Sequence, residues 1–375
     1  MMRIIRPLLL TLLTIFCFAG TILANEPEQN SEENQASEEF SAGKFIIEHV
    51  SDAYEWHIAT FGHTHVSIPL PIILYSKTKG LNIFMSSKFH HGTESYNGFR
   101  IADKLLHEAK GFKIEAEGNY EGKIVELNEK GEIVELPIDL SITKTVAGIF
   151  VSVVILLAIF LSIAKSAKQR VNQAPKGMQN LFEPIILFIR DEVAKPAIGE
   201  KKFEKFMPFL LTAFFFILIN NLLGLIPVFP FGANVTGNIA VTLVLALFTF
   251  FITSLNGNKH YWKEIYNPDV PWWLKYPIPL MPIVELSGVI TKPFVLMVRL
   301  FANMLAGHMI VTVFVSLIFI FNSLMGVEAG LGVSVVSIAF SVFILLLDVL
   351  VSFIQAYVFT LLSALYFGMA TSEHH

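Results

Sequence analysis

Cysteine is almost absent from this 375-residue sequence, which contains only Cys17. Cys17 lies in the N-terminal segment MMRIIRPLLLTLLTIFCFAGTILA, in which two arginines precede an apolar run and small residues end near Ala24. This order is typical of a secretory signal peptide over residues 1–24, and an uncleaved anchor helix is the alternative. A mature chain without cysteine has neither a disulfide nor a thiolate metal site.

Charged residues are scarce as well. They make up 15% of the chain, against 54% hydrophobic residues, whereas about one quarter of a typical soluble domain is charged. This composition predicts a multi-span protein of the lipid bilayer with a polar appendage. A basic patch with interleaved aromatics is missing, which argues against nucleic acid as a partner. Because the sequence has no GxxxxGK[ST] loop, we expect no nucleotide to be bound by this chain.

The polar appendage occupies residues 25–140. It begins with an acidic leader at 25–40, which contains no basic residue. The segment GKIVELNEKGEIVEL at 122–136 predicts a hairpin of two short strands. We expect residues 25–140 to form a small exported α+β domain, and residues 141–375 to form the membrane-embedded domain.

Five apolar runs in residues 141–375 predict an all-α polytopic membrane protein with about five membrane-crossing helices. A group of basic residues follows the first run and marks the cytoplasmic side. The positions of basic residues in the later loops fit the same alternation between the two sides. Together they predict an exported N-terminus and a cytoplasmic C-terminus in the cell inner membrane. The last two runs exceed the roughly 20 residues that span a bilayer, which predicts a long tilted hairpin with kinks at Pro279, Pro282 and Pro293. The runs are 146–164, 207–229, 237–255, 278–322 and 331–370, and residues 179–194 predict an amphipathic helix on the inner surface.

Polar and ionisable residues interrupt the last two runs. A charge in the middle of a membrane costs a few kcal/mol even on the lenient scale, so it should face protein or water. At about 100° per residue, four polar residues of the fourth run fall within about 40° of one line, and His308 falls roughly opposite to Arg299. An alternative role for these side chains is to pair and hold the helices together. The four are Glu285, Lys292, Arg299 and Asn303.

The depths of these residues in an antiparallel hairpin can be compared by counting. If Arg299 and Gln355 lie at one level, His308 and Asp348 come within about 3 Å of a common level on the external side. Glu285 lies fourteen residues to the cytoplasmic side of Arg299. Because arginine stays protonated, it would separate two sets of titratable groups as an electrostatic barrier. The chain offers Arg299 no acidic partner at its own level, which points to a partner on another subunit.

Four segments of the chain are distinctive in combination: NNLLGLIP (220–227), ANVTGNIAVT (233–242), RLFANMLAGH (299–308) and QAYVFTLLSALYFGMA (355–370). Over about residues 145–372 they resemble subunit a of the rotary F-type ATP synthase. The resemblance implies a non-catalytic stator subunit that couples transmembrane proton flow to rotation and ATP synthesis. It also implies the c-ring and the peripheral-stalk b subunit as partners, and no cofactor.

The resemblance further implies roles for single residues. Arg299 matches the family's essential arginine, which faces the ring carboxylate of subunit c. His308 and Asp348 match two positions of the outer half-channel, with the residue types exchanged relative to a familiar form of the pattern. Glu285 matches an acidic position of the cytoplasmic half-channel. The other implied proton-path residues are Asn303 and Gln355.

Two other functions and a metal site are alternatives to this interpretation. A secondary transporter predicts internal repeats with broken helices, and we find no convincing repeat. An intramembrane metalloenzyme would need a helical motif such as HExxH, which is missing. Imidazoles of the appendage suit zinc or copper, but surface histidines or proton-collecting groups are the alternatives, and we expect no bound metal. The histidines concerned are His49, His57, His63, His65, His90 and His91.

Overall fold

The computed structural model describes residues 52–61, 64–90, 92, 94–102, 122–128, 133–169, 173–226, 231–266 and 280–372. The predicted signal peptide and the acidic leader lie outside these ranges. The described residues divide between Asp139 and Leu140 into two compact units, and Asp52–Tyr54 belong to the second unit.

The described part of the first unit consists mainly of strands, which form three antiparallel sheets. Its predicted hairpin is confirmed, because the strands at 124–127 and 133–135 pair antiparallel. Within the described ranges of this unit the elements are strands and one 3-10 turn, so the helical part of the predicted α+β class is not seen there. The strands are β1 (Glu55–Phe61), β2 (Thr64–Pro69), β3 (Pro71–Ser76), β4 (Gly80–Met85), β5 (Phe99–Ile101), β6 (Ile124–Leu127), β7 (Ile133–Glu135) and β8 (Ile138–Asp139), and their orders are β1-β2, β4-β3-β8 and β5-β6-β7.

A buried carboxylate joins two of these sheets. Glu126 on β6 is only 3% exposed and accepts hydrogen bonds from the hydroxyls of Ser76 and Thr78. The Nζ of Lys79 lies 3.6 Å from its Oε1. Burial acts to raise the pKa of Glu126, but the two hydroxyls and the Lys79 charge outweigh it and hold the pKa below its ordinary value.

This lowered pKa predicts acid sensitivity of the first unit. A carboxyl group with a depressed folded-state pKa stabilises the fold above its unfolded-state pKa, and this stability is lost as the pH falls through the folded-state pKa. We expect hydrogen-exchange protection of the β6 amides, corrected for intrinsic rates, to fall when the full-length chain is acidified below the ordinary pKa of glutamate, about 4.3. In Glu126→Gln the pH dependence should disappear, and in Glu135→Gln it should persist because the partner of Glu135 is an exposed lysine, Lys77. An unchanged profile in Glu126→Gln would contradict this role.

The second unit is helical. Among the described residues of this unit, four helices are long and apolar enough to cross a membrane, and there are five crossings if a helix pair bent by 104° forms one span. The prediction of a polytopic all-α membrane protein with about five crossings is therefore confirmed. The helices are α1 (Lys144–Gln169), α2 (Met178–Phe188), α3 (Lys195–Ile198), α4 (Phe203–Gly224), α5 (Ile239–Leu255), α6 (Lys259–Tyr266), α7 (Leu280–Met325) and α8 (Val327–Thr371), and a π-helical segment (Ile189–Ala194) links α2 to α3.

The last two helices form the predicted long hairpin. α7 has 46 residues and α8 has 45, which makes each about 68 Å long at 1.5 Å per residue. This length is roughly twice the hydrocarbon thickness of a bilayer, so neither helix fits within it upright. α7 continues as one helix through Pro293, Pro282 falls in its first turn, where proline is tolerated, and Pro279 lies outside the described residues.

The core of this unit surrounds α4, which is apolar on all sides and buried at its centre. Leu210, Phe214 and Ile217 are completely buried, as expected for a helix without a polar face. The ring of Phe206 stacks on Phe367 of α8, with the centroids 4.8 Å apart. The predicted amphipathic helix is α2 with the π segment, and its Ile189 is fully buried in the same core.

Candidate functional site

The register of the α7–α8 hairpin follows from two contacts. The rings of Phe314 and Phe340 stack with centroids 5.5 Å apart, and a β-carbon on Gly307 would lie 2.7 Å from Oδ2 of Asp348. Counting eight residues back from Gly307 and seven forward from Asp348 brings Arg299 and Gln355 to one level within about one residue, or 1.5 Å. The register therefore agrees with the depth order derived from the sequence.

Arg299 lies on the outer face of this hairpin. Arg299 and Asn303 are exposed, and the residues around them on the same helix face are apolar and exposed, including Val298 and Ala302. Gln355 is half-buried. In the residues that the structure describes, no carboxylate forms an ion pair with Arg299. The result is a single fixed positive charge in an open apolar surface.

His308 points in another direction, towards the C-terminal end of α4. A β-carbon on Gly224 would lie 3.6 Å from Nε2 of His308, so this imidazole occupies space that the glycine leaves free. Gly307, next to it, leaves the space for the Asp348 carboxylate in the same way. His308 and Asp348 thus come to neighbouring positions at one level of the hairpin. Over the described ranges, Oδ2 of Asp348 is buried and accepts no hydrogen bond.

Buried polar residues that sequence reasoning missed surround this level. Asn220 and Asn221 near the end of α4 are each 1% exposed, and Asn221 accepts a hydrogen bond from the Thr236 hydroxyl in the following loop. The loop also closes on itself, since Asn234 accepts from the Gly237 N–H. Two adjacent asparagines inside an apolar run were the available signal, because buried amides need hydrogen-bond partners.

Glu285 and Lys292 belong to the other half of α7. Glu285 is half-buried, and the Nζ of Lys292 lies 5.7 Å from the ring centroid of Tyr366 on α8. Lys292 therefore points into the bundle, whereas Arg299 is exposed, although the sequence predicts that both lie near one line along the helix. The reason is that α5, α6 and the end of α8 cover this part of α7. A cavity of about 20 Å³ lies here, which holds about one water molecule; its polar lining includes Thr249, Thr253, Ser254, Tyr261, Lys292 and Tyr366.

Residues 146–368 match the family model described as ATP synthase A chain. The chain belongs to this family. It is 46% identical over 243 residues to "ATP synthase subunit a 2" of Chlorobaculum tepidum, a match that covers 63% of this chain and 64% of that relative. It is 45% identical to "ATP synthase subunit a" of Chloroherpeton thalassium, over 63% of this chain and 68% of the relative. It is 41% identical to "ATP synthase subunit a" of Myxococcus xanthus, over 66% of this chain and 80% of the relative.

Family membership confirms the resemblance to subunit a. It also confirms the predicted non-catalytic role, since subunit a is a membrane subunit of the ATP synthase and not its catalytic part. The chain spans slightly less than two thirds of the length of the C. tepidum relative. Residues 45–143 match a different family model, described as a domain of unknown function.

The histidines of the appendage precede the residues that match subunit a, and the structure describes few of their side chains. His49, His63 and His91 fall outside the described residues, and the side chains of His57 and His65 are likewise not described. The Nε2 of His90 lies 3.6 Å from Oε2 of Glu94. Among the described residues, no three histidine, cysteine, aspartate or glutamate side chains are grouped to hold a metal.

Proposed function

We propose that this chain is the stator proton channel of an ATP synthase, with two half-channels separated by Arg299. The observation that carries the proposal is the exposed Arg299 on an apolar hairpin face without an acidic partner in the described part of the chain. A charge at membrane depth is tolerated when it meets protein or water. The carboxylate of the c-ring is the partner of matching charge, and Arg299 would favour its deprotonated form.

The outer half-channel would run past His308 and Asp348. The buried Asp348 oxygen, to which no group in the described part of the chain donates, supports this role, because such an atom is costly unless a proton or a water molecule reaches it. Histidine exchanges protons near neutral pH, and Asn303 and Gln355 line the remaining distance to Arg299 as polar, non-titrating groups. The His–Asp pair keeps one good proton donor and one good acceptor even though the family's familiar order is exchanged.

The inner half-channel would lead away from Arg299 towards Glu285. Support comes from the small polar cavity beside Lys292 and Tyr366, which provides hydroxyl groups and room for water on this side. A proton released by the ring carboxylate beside Arg299 would leave by this route. Arg299 prevents a direct path between the halves, so that protons cross only with the turning ring. Each charge moved through 100 mV releases about 2.3 kcal/mol.

Orientation and assembly complete the proposal. The basic residues in the last turns of α1 and just after it support a cytoplasmic location for the end of this helix, which gives an exported N-terminal domain and a cytoplasmic C-terminus in the inner membrane. The c-ring would lie against the Arg299 face, and the peripheral-stalk b subunit would hold the chain as part of the stator.

Disulfide cross-linking to the ring tests the proposed rotor-facing surface. The native Cys17 is replaced by serine, a cysteine is placed beside the ring carboxylate, and either Ala302→Cys or Val154→Cys is introduced in this chain. Both positions are exposed, but only Ala302 adjoins Arg299. Upon oxidation of the assembled complex we expect a cross-link from position 302 and none from position 154. A complex that pumps protons but never cross-links from position 302 would overturn the assignment.

A further inference from the structure

An open groove lies at the N-terminal end of α4, far along the chain from the residues of the proposed proton path. Its volume is about 570 Å³, which is in the range of small-molecule sites. Arg190 and Lys195 line one part of it, Glu204 lies on the first turn of α4, and Met207 and Leu211 continue along that helix. The groove thus passes from charged to apolar at the start of a membrane-crossing helix.

The cationic part of the groove is held in place by Asp191. The Nε and one terminal nitrogen of Arg190 each donate to Asp191 at 2.9 Å, and the Nζ of Lys195 lies 2.6 Å from its Oδ1. The hydrogen bonds from Arg190 and Lys195 hold the pKa of Asp191 far below its usual range, so the cluster keeps a net single positive charge. Arg190 and Lys195 retain further N–H donors, because Asp191 uses two of five on the guanidinium and one of three on the ammonium.

The anionic part of the groove is Glu204. Glu204 is exposed, and within the described part of the chain its carboxylate forms no hydrogen bond and no ion pair. A ligand that satisfies the whole groove therefore carries both an anionic group for Arg190 and Lys195 and a cationic hydrogen-bond donor for Glu204. A purely anionic ligand would leave Glu204 unmatched and repelled.

The apolar part of the groove is lined by Met207 and Leu211 and extends along α4 towards the bilayer. Met207 and Leu211 lie one and two helical turns beyond Phe203 on α4, which is long and apolar enough to span the membrane. Acyl chains beside these two side chains would follow the direction of the helix. An amphiphile with a zwitterionic head matches the order of the groove residues from end to end.

We propose that this groove binds a phospholipid with a primary-amine headgroup, of the phosphatidylethanolamine class. The phosphate accepts hydrogen bonds from the N–H groups of Arg190 and Lys195 that Asp191 leaves free, the ammonium donates to Glu204, and an acyl chain packs along Met207 and Leu211. The headgroup thereby joins the π-helical segment to α4. A quaternary amine lacks the N–H donors that Glu204 accepts, and a glycerol headgroup lacks the positive charge.

Photolabelling in nanodiscs tests this site on the assembled complex. The probe is phosphatidylethanolamine with a diazirine in one acyl chain, and the readout is the label on the peptide that contains Met207 and Leu211. We expect unlabelled phosphatidylethanolamine to compete about tenfold better than phosphatidylglycerol or phosphatidylcholine of the same chain length, because a hydrogen bond to a charged group contributes about that factor. Equal competition by the three lipids would overturn the proposal.

Substitutions separate the two ends of the headgroup. Glu204→Gln should abolish the preference for phosphatidylethanolamine over phosphatidylglycerol while labelling itself persists, and Arg190→Gln should weaken labelling by both lipids. Lys168→Gln, an exposed lysine at the end of α1, is the matched control and should change neither. If another subunit covers the groove, the peptide will not be labelled in the wild-type complex, and the lipid site is then wrong. Proton pumping of each variant confirms that the complex is assembled.

Discussion

Replacement of Arg299 by alanine should abolish ATP-driven proton pumping in vesicles that carry the assembled complex, while the complex itself still assembles. Arg299 is exposed on the hairpin face, so its removal leaves no cavity in the core. The interaction that is lost should be the charge pair between Arg299 and the carboxylate of the c-ring. Breaking a desolvated pair costs about 3 kcal/mol or more, which corresponds to a roughly 100-fold lower rate. Passive proton leak through the membrane sector is expected to rise, because the barrier between the half-channels is gone.

Two further variants define what Arg299 contributes. Arg299→Lys keeps a charge, but lysine deprotonates more readily when it is desolvated and lacks the planar fork, so we expect pumping to remain strongly impaired. Val298→Ala changes the neighbouring exposed position and should pump normally. Near-normal coupled pumping by Arg299→Ala, measured by quenching of a pH-sensitive dye, would show that the arginine has a structural role only.

Replacement of Gly368 by alanine should destabilise the helical unit more than other glycine substitutions in the same helix. A β-carbon at Gly368 would lie 1.9 Å from the carbonyl oxygen of Ala197, and a backbone atom cannot rotate away as a side chain can. The close approach brings the end of α8 against α3, beside the stacked rings of Phe206 and Phe367. Overpacking of this kind costs about 1–3 kcal/mol, so the apparent melting temperature of the subunit should fall by about 2–12 °C.

The matched control is Gly332→Ala, also in α8. In the described part of the chain, apart from its chain neighbours and the backbone of its own helix, no atom lies within 4 Å of a β-carbon at Gly332, and alanine is a better helix former than glycine by about 1 kcal/mol. This variant should keep the wild-type melting temperature or raise it. Light-scattering or dye-binding melts of the purified membrane complex provide the comparison, and equal melting of the two variants would disprove the proposed contact between α8 and α3.

The α7–α8 hairpin shows how far counting along a sequence can lead. On the assumption that Arg299 and Gln355 share one depth, counting predicted a common level for His308 and Asp348, and the Gly307–Asp348 contact gives the same register. This succeeded because both helices are regular and the connection between them is short. Counting could not separate Lys292 from Arg299, which share a helix face. Only the packing of α5, α6 and the end of α8 against α7 makes Lys292 half-buried and leaves Arg299 exposed.

The sequence by itself determined the membrane class, the number and order of the long helices, and the ionisable residues that interrupt them. These are properties of continuous segments, because hydropathy, span length and charge depend on neighbours along the chain. The tertiary structure alone decided which residues lie together. His308 lies beside Gly224, Asn221 accepts a hydrogen bond from Thr236, and one groove combines Arg190 with Glu204. Such contacts depend on how helices distant in sequence pack against each other, and packing is set by the shape and volume of facing side chains rather than by the pattern within one helix.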